Sequence, residues 1–263
     1  MTGKMSFSKG SMKGWENSLE IPSSHPRYES LKKRETLLDF YQRGIVTISG
    51  LISHGRGEAF DYIIGEKSQS FALEAEKAAL EKMVRSERPV ISVNGNVAAL
   101  AGEEIVKFVR KYHIRVEANI FYWSRERMER IITYFRSLGL DVLGMNQDSF
   151  IPGLESDRGR CEREGIFLAD TVLIPLEDGD RAEALKKMGK FVITIDLNPL
   201  SRTSRFGDIT IVDDVQRAFR NFLKFEEEEY NGKVSSFNNA GNAESAIAYI
   251  GERMTSIKRW PDL

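Results

Sequence analysis

Short apolar runs alternate with amphipathic segments in the second half of the chain. The clearest runs are Thr171–Pro175, Phe191–Asp196 and Asp208–Val212, and each is apolar along most of its length. This pattern is expected of strands that are buried on both faces of a sheet. Between the first two runs, Arg181–Met188 carries apolar residues at helical spacing. A strand, a helix and a second strand in this order predict a parallel sheet with helical crossovers.

The same alternation covers most of the chain. Further apolar runs predict strands at Pro89–Val93, Arg115–Phe121 and Asp141–Gly144. Amphipathic spacing predicts helices at Tyr28–Arg43, Ser70–Arg85, Glu103–Tyr112, Glu126–Leu138, Val215–Glu229 and about 243–258. Together these elements predict an α/β fold, with a Rossmann-like doubly wound, mostly parallel sheet flanked by helices and with helical additions at both termini.

The chain length of 263 residues suits one large α/β domain. Residues 1–20 are rich in Ser, Lys and Gly without periodicity, so we expect a disordered extension. Residues 21–263 are predicted to form a single domain with its core over about 45–225. In the two terminal helices we expect inward positions at Leu31, Leu37, Leu38, Tyr41, Ile247, Ile250 and Met254, the last three against the body or a second subunit.

Polar residues cluster directly after the three strands of the second half. The clusters are Leu176–Asp180, Leu197–Arg202 and Asp213–Asp214. In an open parallel sheet, ligands bind in the crevice outside the carboxyl ends of the strands, so these clusters predict a ligand site. Asp196 ends a buried strand, where a carboxylate needs a partner, a metal or a ligand hydroxyl. Together with Asn198 and the nearby arginines, it forms a set suited to ribose and phosphate.

Two glycine-containing segments offer donors for an anion. In the first, glycines flank Arg56, so that backbone N–H groups and a guanidinium are available to a phosphate. A plain turn with an exposed arginine explains the same pattern. In the second, Asn94-Gly95-Asn96 follows a strand and enters a stretch of small residues, which is a geometry that presents N–H groups to an anion. Asn-Gly is also a common plain turn.

Three further features have alternative interpretations. Asp180 and Glu183 form a capping box for a helix beginning at Arg181, so Asp180 is either a cap or a ligand. Tyr122 and Trp123 follow a strand end, where they either stack on a base or contact the protein core or a partner, and the second alternative is favoured. The segment 151–164 is predicted to be a long loop, and such loops often act as functional lids.

Composition excludes several classes of protein. With 38 basic and 39 acidic residues the net charge is −1, which predicts no general attraction to nucleic acid or to anionic membranes. A single cysteine, Cys161, excludes an intramolecular disulfide and a Cys-rich zinc site and fits a reducing cytoplasm. Three scattered histidines form no recognisable metal cluster. Neither a signal peptide nor a run of 18 apolar residues is present, so we expect a cytoplasmic protein.

Five segments carry a resemblance to a known family. They are IPSSHPRYESLKKRE, GLISHGRGEAFDYIIGE, SVNGNVAAL, IPGLE with the following DRGR, and PLEDGDRAEALKKMGKFVITIDLNPLSR. These segments resemble archaeal phosphopantothenate synthetase, also called 4-phosphopantoate–β-alanine ligase, strongly over about 21–214. The resemblance implies a dimeric Rossmann-like enzyme that joins 4-phosphopantoate and β-alanine. It also implies ATP as a substrate, with AMP and diphosphate as products, on the way to coenzyme A.

The resemblance also implies roles for particular residues. The positions that match ATP contacts are Arg34, Arg56, Asp196, Leu197, Asn198, Arg202, Thr203, Asp214 and Val215. Further pocket wall is expected at Asn94, Gly95, Asn96, Asp178, Gly179, Asp180 and Arg181. Arg56, Asn198 and Arg202 are the candidate catalytic residues, with Mg²⁺ bridging phosphate oxygens. No protein residues are predicted to form a metal site of their own.

Two other functions compete with the ligase. A nucleotide-binding sensor would bind ATP or NAD without chemistry. An NAD-dependent dehydrogenase is disfavoured because the G-x-G-x-x-G fingerprint, with its acidic residue about 20 positions further on, is missing after the first predicted strand.

Overall fold

The computed structural model of the chain describes residues 21–256, so the expected disorder of residues 1–20 lies outside the described part, as does the end of the predicted C-terminal helix. The strands in chain order are β1 (Pro89–Val93), β2 (Arg115–Ala118), β3 (Ser149–Phe150), β4 (Arg160–Cys161), β5 (Thr171–Pro175), β6 (Phe191–Ile195) and β7 (Ile209–Ile211). The helices in chain order are α1 (Tyr28–Gln42), α2 (Ile48–Ile64), α3 (Ser70–Arg85), α4 (Gly95–Tyr112), α5 (Arg125–Ser137), α6 (Gly179–Lys187), α7 (Arg202–Phe206), α8 (Val215–Lys224), α9 (Glu227–Tyr230), α10 (Lys233–Ser236) and α11 (Asn239–Ser256).

Five parallel strands form the central sheet in the order β2-β1-β5-β6-β7. Counted only within this sheet, the order is 2-1-3-4-5, one of the two common orders of doubly wound folds. Successive strands run outward from β1 in one direction and from β5 in the other. The point where the order reverses therefore lies between β1 and β5, and a ligand is expected at the carboxyl ends there. The predicted α/β class is confirmed.

Alternate residues of each strand enter two different cores. Ile91, Leu173 and Ile193 face one side with α3, α4, α5 and α8, whereas Val90 and Val172 face the other side with α6. Helices cover both faces, and this is why the central strands are apolar throughout rather than at every second position. No helix in the range 21–256 is long and apolar enough to cross a membrane.

Several local predictions were wrong. Leu37 and Phe40 carry the buried face of α1, while Leu38 and Tyr41 are 50% and 40% exposed, because the helix covers the core with a narrow stripe. The predicted strand at Asp141–Gly144 is reduced to one bridge between Leu143 and Glu117. The predicted loop 151–164 contains β4 of a two-strand hairpin and a short 3-10 turn.

The α2 region shows the largest difference from the predicted secondary structure. The segment around Arg56 is neither a phosphate-binding turn nor a plain turn, because it lies inside a 17-residue helix. Thr47 caps this helix by accepting a hydrogen bond from Gly50 N at 3.1 Å, and Gly65 ends it in the left-handed conformation. These end signals and tertiary packing outweigh the low helix propensity of the internal glycines.

A buried carboxyl group anchors the long segment that connects β2 to β5. Glu117 is fully buried and accepts hydrogen bonds from Asn119 Nδ2 at 3.1 Å, Glu162 N at 3.1 Å and Ile166 N at 2.7 Å. The three donors favour the ionised form, but burial has the larger effect and raises the pKa of Glu117 from 4.5 to about 7.

This carboxyl group predicts a pH dependence of stability. Because its folded-state pKa is above the unfolded value, the proton is bound more tightly in the folded state. The resulting stabilisation is fully present below pH 4.5 and is lost as the pH rises to about 7, for a total of about 3 kcal/mol. We expect urea unfolding between pH 5 and 8 to show a shallower pH slope for Glu117→Gln than for the natural protein. Equal slopes would contradict the prediction, whatever the absolute stability of the variant.

Candidate active site

A cleft of about 750 Å³ lies at the carboxyl ends of β1, β5, β6 and β7, with α1 and α2 forming its opposite wall. It occupies the point where the strand order reverses, as expected of a doubly wound sheet. Thirteen of the residues predicted for the site line this cleft: Arg56, Asn94, Gly95, Asn96, Asp178, Gly179, Asp196, Leu197, Asn198, Arg202, Thr203, Asp214 and Val215. The sequence patterns of five separate segments therefore converge on one place.

Three predicted site residues lie outside the cleft wall. Arg34 donates to both carboxylate oxygens of Glu58, which does line the cleft, at 3.1 and 2.7 Å. Asp180 pairs with Arg202 at 2.6 Å. Arg181 is 2% exposed and lies 3.4 Å from Glu177, so it supports the wall from behind. In the conformation described, these three residues act on the cleft only through their partners.

Asn94 joins the two strands at the reversal point. Its Nδ2 donates to Leu176 O at 2.9 Å, while its Oδ1 accepts from Asn96 N and Val97 N and caps α4. Leu176 has a φ of +50°, an unusual conformation for a leucine, directly after β5. Gly95 is required here because a Cβ would lie 2.3 Å from Ile45 O. The start of α4 is therefore packed tightly against the α1–α2 connection.

Asp196 organises the loop after β6. Its Oδ1 accepts from Asn198 N at 3.0 Å and its Oδ2 accepts from Ser201 Oγ at 2.5 Å. Burial raises the pKa of Asp196, and these hydrogen bonds and the charge of Arg56 oppose that rise. The Oδ1 of Asn198 accepts from Leu200 N at 2.9 Å, so the carbonyl side of its amide is held within the loop. The Asn198 amide therefore has a fixed orientation on the cleft wall.

The helix cap predicted for α6 was wrong. The helix begins at Gly179, and Asp178, not Asp180, accepts hydrogen bonds from the backbone N–H groups of Asp180 and Arg181. The other oxygen of Asp178 accepts from Arg158 at 2.8 Å. Glu183 instead pairs with Lys187 and Arg202. The helix starts earlier than predicted because Asp178 supplies the cap.

Gly179 sets the distance between α6 and α7. A Cβ at this position would lie 2.3 Å from Arg202 Cβ and 3.0 Å from the Arg202 carbonyl carbon, and neither atom belongs to a flexible side-chain end. Thr203 Oγ1 adds a hydrogen bond to Glu177 O at 2.6 Å. The contact therefore fixes the position of Arg202 on the cleft wall.

Gly179→Ala is predicted to damage both stability and the site. The methyl group must displace α7, and we expect a loss of about 1–3 kcal/mol in unfolding free energy. If Arg202 and Thr203 contact ATP, as the resemblance implies, ATP binding measured by calorimetry should also weaken, since both residues move with α7. The matched control is Gly251→Ala on α11, where a Cβ would meet no atom within 4 Å. Equal behaviour of the two variants would show that α7 adapts without consequence.

A chain of charged residues supports the far end of the cleft. Asp214 caps α8 and pairs with Lys33 at 2.9 Å, and the charges of Lys33 and Arg217 outweigh burial in holding its pKa below the ordinary value. Arg217 contacts Asp61 at 2.6 Å and the fully buried Asp213 at 2.6 Å. The network thus ties α1, α2 and α8 together at the carboxyl end of β7.

Sequence reasoning missed several titratable residues of the cleft. Among the missed residues that line it are Lys33, His54, Glu58, Arg127, Arg217 and Arg220. Lys33 stands next to the predicted Arg34 on a helix, and one residue of spacing decides which of the two faces the cleft. Burial lowers the pKa of His54, so its imidazole is neutral at pH 7. For Arg127 the sequence holds no local signal, because tertiary packing alone brings α5 to the cleft.

Most cations of the cleft are neutralised by carboxylates. Within the described range, Lys33, Arg202, Arg217 and Arg220 each have a carboxylate partner within 4 Å. Arg56 contacts Ser53 Oγ at 3.1 Å, and Arg127 contacts Ile45 O at 2.9 Å. Neither of these two arginines has a carboxylate partner among residues 21–256, so both remain available to an anionic ligand. Over the same residues, no cluster of three or more His, Cys, Asp or Glu side chains could hold a metal.

Comparison with known proteins identifies the family of the chain. The family model described as phosphopantothenate/pantothenate synthetase matches residues 71–253. A 4-phosphopantoate–β-alanine ligase of Thermococcus kodakarensis is 44% identical over 91% of this chain and 95% of its own length. Proteins of the same name from Methanospirillum hungatei and Methanosarcina mazei are 44% and 46% identical, each over 90% of this chain and over 99% and 97% of their own lengths. The chain therefore belongs to the phosphopantothenate/pantothenate synthetase family.

Proposed function

We propose that the protein is an ATP-dependent ligase that condenses 4-phosphopantoate with β-alanine. The products are 4-phosphopantothenate, AMP and diphosphate, and the reaction serves coenzyme A biosynthesis. The observation that carries the proposal is the 44–46% identity to proteins named 4-phosphopantoate–β-alanine ligase along nearly the whole of both chains. The cleft supports it, because its size suits a nucleotide together with a small acid. The guanidinium groups of Arg56 and Arg127, which have no carboxylate partner among residues 21–256, suit phosphates.

The chemistry requires activation of a carboxylate. An oxygen of the 4-phosphopantoate carboxylate attacks the α-phosphorus of ATP, and the bond from that phosphorus to the bridging oxygen breaks to release diphosphate. The amine of β-alanine then attacks the carbonyl carbon of the acyl-adenylate, AMP leaves, and the amine loses a proton to give the amide. Neither step needs a protein nucleophile, so catalysis rests on positioning and on neutralising charge.

Three residues are proposed to touch the reacting groups. Arg56 lies on the cleft wall without a carboxylate partner within 4 Å in the described range, and its guanidinium is suited to the triphosphate. Asn198 lies on a fixed loop, where its amide can donate to an oxygen of the nucleotide. Arg202 pairs with Asp180 and Glu183 in the conformation described, so a phosphate must compete with these two carboxylates for its guanidinium.

Magnesium is proposed to enter with ATP. Mg²⁺ commonly binds through one or two carboxylates together with substrate phosphates, and a site of this kind needs no cluster of protein ligands. Asp196 fits this role, since it lies on the cleft wall and each of its oxygens accepts one hydrogen bond, leaving a further lone pair. The ion would neutralise phosphate charge during the transfer.

The homodimer implied by the resemblance remains a proposal. Exposed apolar side chains on α1 and α2, namely Leu38, Tyr41, Ile48 and Ile52, supply surface of the kind that subunit interfaces cover. Light scattering after gel filtration should give twice the mass of the chain, and the mass of one chain would contradict the proposal.

The expected cytoplasmic location likewise stays a prediction.

AMP release tests the proposed reaction against the alternatives. With ATP, Mg²⁺ and 4-phosphopantoate present, we expect steady formation of AMP only after β-alanine is added. ADP as the product would keep the ligase but replace the adenylate by an acyl phosphate. Binding of ATP without turnover would favour the sensor, and hydride transfer with NAD would favour the dehydrogenase.

A further inference from the structure

Two ends of the cleft each contain an arginine without a carboxylate partner in the described range. Arg56 is next to Gly57 on α2, where a Cβ would lie 3.7 Å from Leu197 after β6, whereas Arg127 lies beside Gly95 at the end of β1. Since β5 separates β1 from β6 and neighbouring strands lie about 4.8 Å apart, the two ends are roughly 10 Å apart. The proposed reaction likewise brings together two substrates that each carry phosphate.

Arg127 is held in a fixed orientation. It belongs to the first turn of α5, and its Nε donates to Ile45 O at 2.9 Å, which leaves the two terminal nitrogens for another partner. A Cβ on Gly95 would lie 3.0 Å from one of these nitrogens, so the guanidinium is next to the start of α4. These contacts show that a backbone carbonyl, rather than a counter-ion, orients the Arg127 guanidinium.

The guanidinium of Arg127 is partly buried, and it has no carboxylate partner among residues 21–256. Burial lowers the pKa of Arg127, and no neighbouring charge contributes to that shift. An arginine nevertheless stays protonated, so a half-buried guanidinium on a cleft wall favours an anion from solution. A planar pair of terminal nitrogens matches two oxygens of one phosphate.

We propose that Arg127 binds the phosphate of the acid substrate, 4-phosphopantoate, and thereby selects the phosphorylated acid over free pantoate. The inference rests on the proposed ligase function. The position at the end of β1 separates Arg127 from the nucleotide residues of β6, α7 and β7. The carboxylate of the same substrate can then extend toward the nucleotide while its phosphate stays at Arg127.

The test compares Arg127→Gln with Arg125→Gln. Arg125 lies on the same helix, outside the cleft wall, and pairs with Glu129 at 2.9 Å on the solvent side. For Arg127→Gln we expect kcat/KM for 4-phosphopantoate to fall at least about 10²-fold, with KM for ATP and β-alanine within about twofold of the natural values. Arg125→Gln should match the natural protein in all three.

Free pantoate supplies a readout that a structural role would not change. The natural enzyme should prefer 4-phosphopantoate to pantoate, and Arg127→Gln should lose most of this ratio because the substitution lowers activity with 4-phosphopantoate far more than activity with pantoate. Thermal unfolding and ATP calorimetry check that the variant is folded. An unchanged ratio would overturn the inference, and a raised KM for ATP alone would assign Arg127 to the nucleotide.

A direct binding measurement separates the inference from the ligase proposal. If the natural protein makes no AMP, the proposed function fails, and calorimetry with 4-phosphopantoate then decides about Arg127. Weaker binding to Arg127→Gln than to Arg125→Gln would support the phosphate site. Equal binding to the two variants would overturn it.

Discussion

Replacing Arg56 by glutamine is expected to lower kcat by about 10²- to 10³-fold, the usual effect of losing one preorganised donor to a transition state. The guanidinium is on the cleft wall, and its described contacts are one hydrogen bond to Ser53 and the field of Asp196. Charge develops on the phosphate oxygens as diphosphate leaves, so an unpaired cation at this position acts most strongly in the transition state. Steady-state AMP release, with all three substrates varied, measures the loss.

The control for Arg56 is its neighbour on the same helix. Gly55 lies outside the cleft wall, and a Cβ there meets no atom within 4 Å, so Gly55→Ala should keep full activity and strengthen α2 slightly. If Arg56→Gln raises KM for ATP with kcat unchanged, the residue contributes only to ground-state binding. Activity within a few fold of the natural protein would remove Arg56 from the reaction.

The sheet could be predicted because burial on two faces leaves a strong pattern. Pro89–Val93 and Thr171–Pro175 match the structure residue for residue, and both are central strands covered by helices. The polar residues after the strands were also predictable, since strand direction alone brings them to one edge. Helix ends were less predictable, as Asp178 and Asp180 show: only Asp180 has a Glu three residues later, yet either Asp is a favourable N-cap residue and Asp178 is the one that caps the helix.

The opposite wall of the cleft could not be predicted in the same way. Glycines around Arg56 suggest a turn, and only the packing of α2 over Leu197 and the cap at Thr47 make the segment helical. Arg127 belongs to α5, and the spacing of apolar residues in this helix predicts which face is buried but not which polar residues reach the cleft. The position of Arg127 at the cleft depends on the close contact between Gly95 and Ile45. This is a tertiary contact, which cannot be predicted from the spacing of residues along the chain.

Replacing Arg217 by methionine is expected to destabilise the protein by about 3–5 kcal/mol. The guanidinium donates to both oxygens of Asp61, at 2.9 and 2.6 Å, and to Asp213 Oδ1 at 2.9 and 2.6 Å. Asp213 is fully buried, and Glu76 lies beside it, also fully buried and with a pKa raised well above its ordinary value by burial and by Asp213. Without Arg217, these carboxyl groups keep no cation among the contacts that the structure gives them.

The pH dependence and a double variant separate this mechanism from lost packing. Removing the cation raises the folded-state pKa of Asp213 further above its unfolded value, so the variant regains stability as the pH falls and loses most at high pH. Adding Asp213→Asn should restore part of the loss, because the uncompensated charge is removed. Arg220→Met on the same helix breaks a more exposed pair with Glu104 at 3.0 Å and should cost about 1 kcal/mol or less. A loss for Arg217→Met that is independent of pH and unaffected by Asp213→Asn would mean that the side chain stabilises α8 by packing alone.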